Sequence, residues 1–241
     1  MGQLHRRGRE LRTAEPQLGV PKNRGWYTRG YFPHRDEAGL FQAITYRLAD
    51  SLPVHVLDQV AREVRDMPKD IQRAERLKRL EGWLDAGMGS CVLRTSDLAR
   101  AVVETWMRFD FERYDLIAWV VMPNHVHVLI RQYEQAPLGK IVQSWKTYTG
   151  KRIAEELRRA GARRSDDTGP VWMRDYWDRF IRNEDHLQKA IRYIHHNPVK
   201  AGLVTEEVQW PWSSAGIYST HAELGLGGPI TAEPRQRSAD L

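Results

Sequence analysis

Two histidines one residue apart, His125 and His127, have the spacing in this sequence that most directly suggests chemistry. They lie in the run PNHVHVLI, Pro123 to Ile130, which otherwise has the composition of a buried strand. Because side chains alternate across a strand, both imidazoles and Leu129 point to one face, and Val126, Val128 and Ile130 point to the other. Strand geometry separates the two rings by about 7 Å, close enough to converge on one metal ion. A pair of half-exposed histidines hydrogen-bonded to neighbours is the alternative.

A tyrosine and an asparagine near the C-terminus form a second candidate group, in the run RYIHHNPVKAGLV. If a helix runs from Glu184 to about Asn197, Tyr193 and Asn197 share a face, because residues four apart are neighbours on a helix. A phenol and an amide oxygen then project together, with His196 nearby. Alternatively, Tyr193 packs by its ring and Asn197 merely ends the helix before Pro198, where we expect the helix to stop.

Hydrophobic periodicity and turn residues indicate the elements that position these groups. The pattern predicts a first strand over 40–49, helices over 54–67, 71–87 and 95–110, a hairpin of strands over 113–122 and 125–131, a basic helix over 138–159, an aromatic strand within 169–181, and a last helix capped by Asn183. This order favours an α+β fold, in which a ferredoxin-like antiparallel sheet has helices packed on one face.

Charge and composition favour nucleic acid as the partner. The chain of 241 residues has a formal net charge of +6, and the excess is clustered within residues 1–30 and 140–164. Basic clusters attract polyanions through counterion release, although a solvated basic face is the alternative. Cys91 is the only cysteine, which excludes an internal disulfide and a thiolate metal cluster. The longest apolar run, Leu116 to Met122, is too short to span a membrane, so we expect a cytoplasmic protein.

From about Gly30 to Ala215 the chain resembles the REP-associated tyrosine transposases, which belong to the single-tyrosine HUH endonucleases. The resemblance is carried by ordered blocks: RGYFPHRDEAGLFQAITYRLADSLP, LDAGMGSCVL, YDLIAWVVMPNHVHVLI, SWKTYTGKRI, VWMRDYWDRFIRNEDHL, YIHHNPVKAGLV and WPWSSA. It implies the HUH endonuclease fold for a catalytic domain over 31–218. Composition and the lack of sustained periodicity predict a flexible basic arm over 1–30 and a loose tail over 219–241.

The same resemblance assigns roles to the two candidate groups. It implies that Tyr193 is the catalytic nucleophile and that His125, His127 and Asn197 hold Mg²⁺ or Mn²⁺. The implied activity is cleavage and rejoining of single-stranded DNA at REP-type hairpins through a 5′-phosphotyrosine, by a nucleoid-associated monomer without an organic cofactor. In some relatives a dimer instead places each tyrosine against the partner's histidines.

Cations interleaved with aromatic rings suit a single DNA strand, although core packing is the alternative for the rings. The predicted DNA-binding residues are Lys146, Lys151, Arg152, Arg174, Tyr176, Trp177, Arg179, Arg192 and Lys200. Two other functions stay open from the sequence. One is a hairpin-binding regulator that does not cleave, and the other is a metal-dependent nuclease in which water, activated by His195 or His196, cuts the strand.

Overall fold

The computed structural model describes residues 25–28, 33–159 and 169–217. The strands are β1 (Gly25–Thr28), β2 (Pro33–Asp36), β3 (Phe41–Arg47), β4 (Tyr114–Val121), β5 (His125–Gln132) and β6 (Trp177–Phe180). The helices are α1 (Val54–Val64), α2 (Lys69–Asp85), α3 (Ser96–Arg108), α4 (Leu138–Arg159) and α5 (Glu184–Lys200), with short 3₁₀ turns at Val92–Arg94 and Glu207–Gln209. None of the helices in these ranges has the length and apolar character needed to cross a membrane.

Four of the strands form one antiparallel sheet in the order β4-β5-β3-β6. This is the order of a split βαβ arrangement, so the predicted ferredoxin-like α+β fold is confirmed. Strand β5, which carries both histidines, lies between β4 and β3. Its central position pairs both of its edges, so any cover over its two faces must come from helices.

Helices α3 and α4 cover one face of the sheet. Val126, Val128 and Ile130 of β5 point into this layer, as the alternation predicts. They meet large side chains from the two helices, including Trp106 and Trp145, which are fully buried. The apolar half of β5 therefore belongs to the main core, and its histidines must lie on the opposite face.

The opposite face is covered by α5, so the expectation of helices on one face only is wrong. Ile191 and Ile194 of α5 pack with Leu129 of β5 and Val120 of β4. All eight residues of β4 are buried, in keeping with its nearly continuous apolar sequence YDLIAWVV. A strand of that kind indicates cover on both sides, because a strand with one solvated face alternates apolar and polar residues.

Pro198 does not end α5, contrary to the prediction. The proline ring removes one backbone N–H, so a single intrahelical bond is lost. The turn beyond it is supported by bonds of 2.9 Å from the Ala201 amide to the Asn197 carbonyl and from the Leu203 amide to the Pro198 carbonyl. The helix stops where Gly202 adopts a left-handed conformation with φ of +66°.

Two other boundaries differ from the sequence interpretation. The stretch 169–181 forms a strand only at Trp177–Phe180, preceded by an isolated bridge between Trp172 and Leu48. Gly25–Thr28, at the end of the predicted arm, pairs with Pro33–Asp36 as a small hairpin. The rest of the arm and the predicted tail over 219–241 lie outside the described residues.

Candidate active site

The two histidines of β5 converge on each other. The Nε2 atoms of His125 and His127 are 3.1 Å apart, and the ring planes are nearly perpendicular. Both side chains are buried. The strand alternation predicts that the rings share a face; burial and the packing of neighbouring elements turn their Nε2 atoms toward one point.

Hydrogen bonds at the other ring nitrogens hold this orientation. The Asn124 amide nitrogen donates to the carbonyls of Leu84 and Met88, at 3.2 and 2.9 Å. Its oxygen must therefore accept the 2.7 Å bond from Nδ1 of His125. With the proton on Nδ1, the Nε2 of His125 presents a lone pair, which is the form that binds a metal ion.

His127 is oriented from the neighbouring strand. Its Nδ1 lies 2.8 Å from the hydroxyl of Thr45, its cross-strand partner in β3. Burial, followed by the positive charge of Lys200, lowers the pKa of His127 to about 3. The pKa of His125 is also lowered, by burial first and then by His127 and Lys200. Both imidazoles are therefore neutral near pH 7 and available as ligands.

Helix α5 brings the predicted tyrosine to the histidines of the same chain. The ring centroids of Tyr193 and His127 are 5.4 Å apart, with the planes at 82°. The helix begins at the predicted cap, where the Asn183 side chain accepts a 2.9 Å bond from the His186 amide. Tyr193 remains 37% exposed, so a large substrate can reach it from solvent.

Asn197, one turn after Tyr193, is tied to the same helix. Its amide nitrogen donates a 2.7 Å bond to the Tyr193 carbonyl. Its side-chain oxygen is buried and has no hydrogen-bond partner. A buried acceptor without a hydrogen bond lowers the stability of the fold. Its presence here is what we expect of an oxygen that binds a cation or a substrate.

The sequence interpretation missed two carboxylates of α2, Glu81 and Asp85, which lie one helical turn apart. Asp85 forms a 2.7 Å ion pair with Lys200, and its other oxygen, buried and without a hydrogen-bond partner, lies 3.8 Å from Nε2 of His125. Glu81 lines the same cleft as Tyr193 and His127. The only sequence signal was the four-residue spacing of two acidic residues on a largely polar helix, and that spacing is common on solvated helices.

Burial and these carboxylates together raise the pKa of the Tyr193 phenol, which is protonated at neutral pH. Burial is the largest cause that raises the pKa of Tyr193, followed by the charges of Glu81 and Asp85. Burial likewise raises the pKa of the Glu81 carboxyl, partly offset by its hydrogen bond with Tyr193. A phenol in this setting needs a cation or a proton acceptor before it can act as a nucleophile.

The donor set fits a divalent cation of intermediate hardness. Within the described ranges, no three His, Cys, Asp or Glu side chains form a group that could hold a metal ion. A site here must therefore combine the two imidazoles with another kind of ligand, and the unpartnered oxygen of Asn197 is of the right chemistry. Two imidazole nitrogens with one neutral oxygen suit zinc or Mn²⁺ better than Mg²⁺, and they leave positions for phosphate oxygens and water.

Six of the nine predicted DNA-binding residues line two separate grooves. Trp177 and Arg179 line a cleft of about 580 Å³ together with His127 and Tyr193. A second groove of about 500 Å³ is lined by Lys146, Lys151, Arg174 and Tyr176. The rings of Trp177 and Tyr176 are mostly buried.

Several of the predicted cations already have partners within the chain. The Lys146 ammonium donates to the carbonyls of Met173, Arg174 and Asp175, at 2.9 to 3.3 Å. Arg152 lies 3.5 Å from Glu104 on the neighbouring helix. Lys200 binds Asp85 beside the histidines, whereas Arg192 is exposed on α5. Lys146 thus holds the segment before β6 in place as well as lining the second groove.

Residues 97–197 match the family model of IS200-like transposases. The matched region contains β4, β5 and nearly all of α5 as far as Asn197, and therefore both predicted groups. It excludes α1, α2 and the β1–β2 hairpin, so Asp85 and Glu81 lie outside it.

The chain is also similar to individual curated proteins. It is 30% identical over 104 residues to a Haemophilus influenzae protein provisionally named a REP-associated tyrosine transposase, which covers 42% of this chain and 58% of that protein. A REP-associated tyrosine transposase of Escherichia coli is 27% identical over 101 residues, or 42% of this chain and 54% of that protein. An uncharacterised Haemophilus influenzae protein is 30% identical over 122 residues, or 44% and 68% of the two chains. The chain thus spans little more than half the length of the two named relatives.

Among solved structures, the chain is similar to a REP-associated tyrosine transposase bound to a REP hairpin. That likeness has a TM-score of 0.49 and 16% identity, and it covers 88% of this chain and 95% of the other.

Proposed function

Because residues 97–197 match the family model of IS200-like transposases, we propose that the chain cuts and rejoins single-stranded DNA through a covalent bond between Tyr193 and a 5′-phosphate. The proposed substrate is a strand that carries a REP-type hairpin, as the names of the two curated relatives suggest. Binding of the hairpin without cleavage is the less favoured function, since a binder does not require a phenol beside a pair of neutral imidazoles.

One observation carries the proposal: the Tyr193 ring lies 5.4 Å from the His127 ring, which converges with His125 at an Nε2 distance of 3.1 Å. A phosphate bound between the imidazoles and the cleft would then lie within reach of the phenol. All three side chains belong to one chain, which supports a monomer as the active form.

The chemistry that these residues support is an in-line exchange at phosphorus. The Tyr193 oxygen forms a bond to phosphorus while the bond from phosphorus to the 3′-oxygen breaks, so the phosphodiester energy is kept in the phosphotyrosine. Glu81 is placed to accept the phenol proton, and the leaving 3′-oxygen takes up a proton from solvent. Rejoining runs the same exchange in reverse, with a 3′-hydroxyl as nucleophile.

His125, His127 and Asn197 are the residues that would hold a divalent cation, with Mg²⁺ or Mn²⁺ proposed. When bound, such an ion supplies Lewis acidity and neutralises charge on the non-bridging phosphate oxygens. Asn124 and Thr45 would maintain the imidazole orientation through their bonds to the Nδ1 atoms. Asp85, paired with Lys200, keeps a negative charge beside His125.

The decisive experiment is to trap the adduct. The protein is incubated with Mn²⁺ and a labelled hairpin oligonucleotide that copies the DNA flanking its gene, and covalent complexes are separated in denaturing gels. Tyr193→Phe should abolish the adduct, since the phenylalanine ring keeps the packing but lacks the nucleophile. Tyr148→Phe, which alters an exposed tyrosine on α4, is the matched control and should form adduct at the parental rate.

The alternatives predict other products. A nuclease that uses water would release free 5′-phosphate ends without adduct. Its Tyr193→Phe variant would cut at the same rate as the parent. His195 is poorly placed for that role, because it is buried and its Nε2 is 2.8 Å from the Ser214 hydroxyl. A regulator would bind the hairpin and leave it intact. An adduct formed by Tyr193→Phe would refute the assigned nucleophile.

A further inference from the structure

Trp26 is a large apolar side chain that the fold leaves in solvent. It lies on β1, opposite Arg35 of β2, and exposes 63% of its surface. The small hairpin that carries it is tied to the main sheet, because His34 hydrogen-bonds to Asp178 of β6 and stacks on Tyr176 with ring centroids 4.4 Å apart. The position of Trp26 is therefore defined by contacts with the edge of the sheet.

Trp26 belongs to a small aromatic and cationic cluster at that edge. Its ring centroid is 5.9 Å from that of Phe180, with the planes at 85°. The Arg35 guanidinium lies 4.7 Å from the Phe180 centroid and 5.8 Å from the Trp26 centroid, and Arg182 lies 5.4 Å from that of Phe180. Cations against ring faces support a flat stacking surface, and Arg182 adds positive charge for a phosphate, whereas Arg35 also forms a 2.7 Å ion pair with Glu37.

This cluster lies in the same cleft as the reactive groups. Trp26 and Phe180 line the cleft that also contains His127 and Tyr193. Cationic side chains in its lining outnumber the carboxylates, and they are Arg35, Arg73, Arg179, Arg182 and Lys189. A DNA strand with a phosphate at Tyr193 would therefore lie beside positively charged side chains of the cleft and beside the exposed indole of Trp26.

We propose that Trp26, supported by Phe180, is a stacking platform for one unpaired base of the DNA strand that enters the cleft. The inference rests on the proposed function, because it assumes that the cleft receives a DNA strand. It adds a specific contact, made by a hairpin outside the region that matches the family model. Stacking of this kind depends on the presence of a base and little on which base it is.

The test compares two single strands that differ only in their bases. One is a thymidine oligonucleotide of about 12 nucleotides, and the other is an abasic strand of equal length with the same phosphates. Dissociation constants are measured by fluorescence anisotropy in the Tyr193→Phe background, where no cleavage interferes. We expect the parent to prefer the thymidine strand by about 5- to 100-fold, in keeping with the stacking of one base on an aromatic ring.

Trp26→Ala should reduce that preference about fivefold or more and leave the affinity for the abasic strand unchanged. Trp26→Phe should retain most of the preference, because a smaller ring still stacks. Tyr148→Ala is the matched control, since Tyr148 is 52% exposed but does not line the cleft. Circular dichroism and thermal unfolding establish that each variant is folded.

Equal weakening of both strands by Trp26→Ala would overturn the inference, since Trp26 would then act on the backbone or on the fold. An unchanged preference, or failure of the parent to bind the thymidine strand, would overturn it as well. Failure of the proposed function is a separate result, because it would appear as the absence of a Tyr193-dependent adduct. A protein that forms the adduct but lacks the Trp26-dependent preference would refute only the stacking platform.

Discussion

The two faces of the central sheet are built from the same strands, but they differ in how their buried polar atoms are hydrogen-bonded. Under α3 and α4, the polar atoms of the large aromatic residues find partners. Trp106 donates to the Tyr46 hydroxyl at 3.1 Å, and Trp145 donates to the Tyr114 hydroxyl at 2.9 Å. The Tyr114 hydroxyl in turn donates a 2.8 Å bond to a main-chain carbonyl. The polar atoms of these buried aromatic side chains are therefore paired within the core, as expected for packing that stabilises the fold.

The face under α5 contains polar atoms that the chain itself leaves unsatisfied. The side-chain oxygen of Asn197 and one oxygen of Asp85 are buried without a hydrogen-bond partner. Two neutral imidazoles face each other beside them. Leaving buried acceptors in this state lowers stability, so the comparison indicates that the first face stabilises the fold and the second is arranged for a ligand.

The largest expected effect on stability lies on the first face. Trp145→Ala should lower the free energy of unfolding by about 3–5 kcal/mol, because it removes a fully buried indole and the donor to Tyr114. Urea unfolding measures the change. Tyr148→Ala, three residues further along α4, should change it by less than about 0.5 kcal/mol, and Tyr193→Phe should be similarly mild. Equal losses for Trp145→Ala and Tyr193→Phe would contradict the assignment of the two faces.

Acid should destabilise the second face. His195 of α5 is buried, and burial lowers its pKa to about 4, with the charge of Glu207 acting in the opposite direction. Above about pH 6.5 it is neutral in both folded and unfolded chains, whereas below that value only the unfolded chain takes up the proton. Stability should therefore fall between pH 6.5 and 4, by up to about 3 kcal/mol from His195 alone.

The check is urea unfolding across that pH range for the parent and His195→Gln, which retains a hydrogen-bonding group for Ser214. The free energy of unfolding of the variant should fall less steeply as the pH is lowered. It should still fall, because burial lowers the pKa values of His125 and His127 as well. If the two curves run parallel, His195 is not the group that titrates.

A divalent ion should stabilise the second face by binding the folded protein. With Mn²⁺ at about 100 times its dissociation constant, the free energy of unfolding should rise by about 2.7 kcal/mol, and a chelator should reverse the change. His127→Ala should remove the effect, whereas His55→Ala, an exposed histidine of α1, should retain it. Stabilisation that persists in His127→Ala would place the ion elsewhere.

The smallest expected effect concerns the ion pair that joins α5 to α2. Lys200 and Asp85 are 2.7 Å apart, and the Asp85 side chain is only 8% exposed. A double-mutant cycle with Lys200→Met and Asp85→Asn should give a coupling of about 0.5–1 kcal/mol, limited by the half-exposed lysine. The pair of Lys189 and Asp185 has the same separation but lies in solvent, and its coupling should be smaller. A larger coupling for that surface pair would contradict the reasoning from burial.

Local patterns predicted much of the fold. The bounds of α4, Leu138–Arg159, coincide with the predicted basic helix, and Asn183 caps α5 as expected. The alternation of β5 correctly divided His125 and His127 from the aliphatic face. These features depend on backbone periodicity and on contacts between residues close in sequence, which a single sequence records directly.

Other features could not be read from the same patterns. Asp85 is acidic at a position where a solvated helix face is the ordinary explanation, and only the packing of α2 places it beside His125. Pro198 has a local tendency to end a helix, but the packing of the Ile194 turn on the sheet and the bonds beyond it carry α5 to Lys200. In both cases contacts distant in sequence outweigh the local preference.

By itself, the sequence determined the types of the reactive groups, the face of β5 on which the imidazoles lie and the spacing of Tyr193 and Asn197 on one helix, because these follow from the fixed geometry of strands and helices. Only the tertiary structure decided that α5 covers the histidine face, that its tyrosine meets the imidazoles of its own chain, and that α2 supplies two carboxylates. Those outcomes depend on which apolar surfaces pack together when the segments that carry them are far apart in sequence. Side-chain periodicity is local and does not specify that pairing.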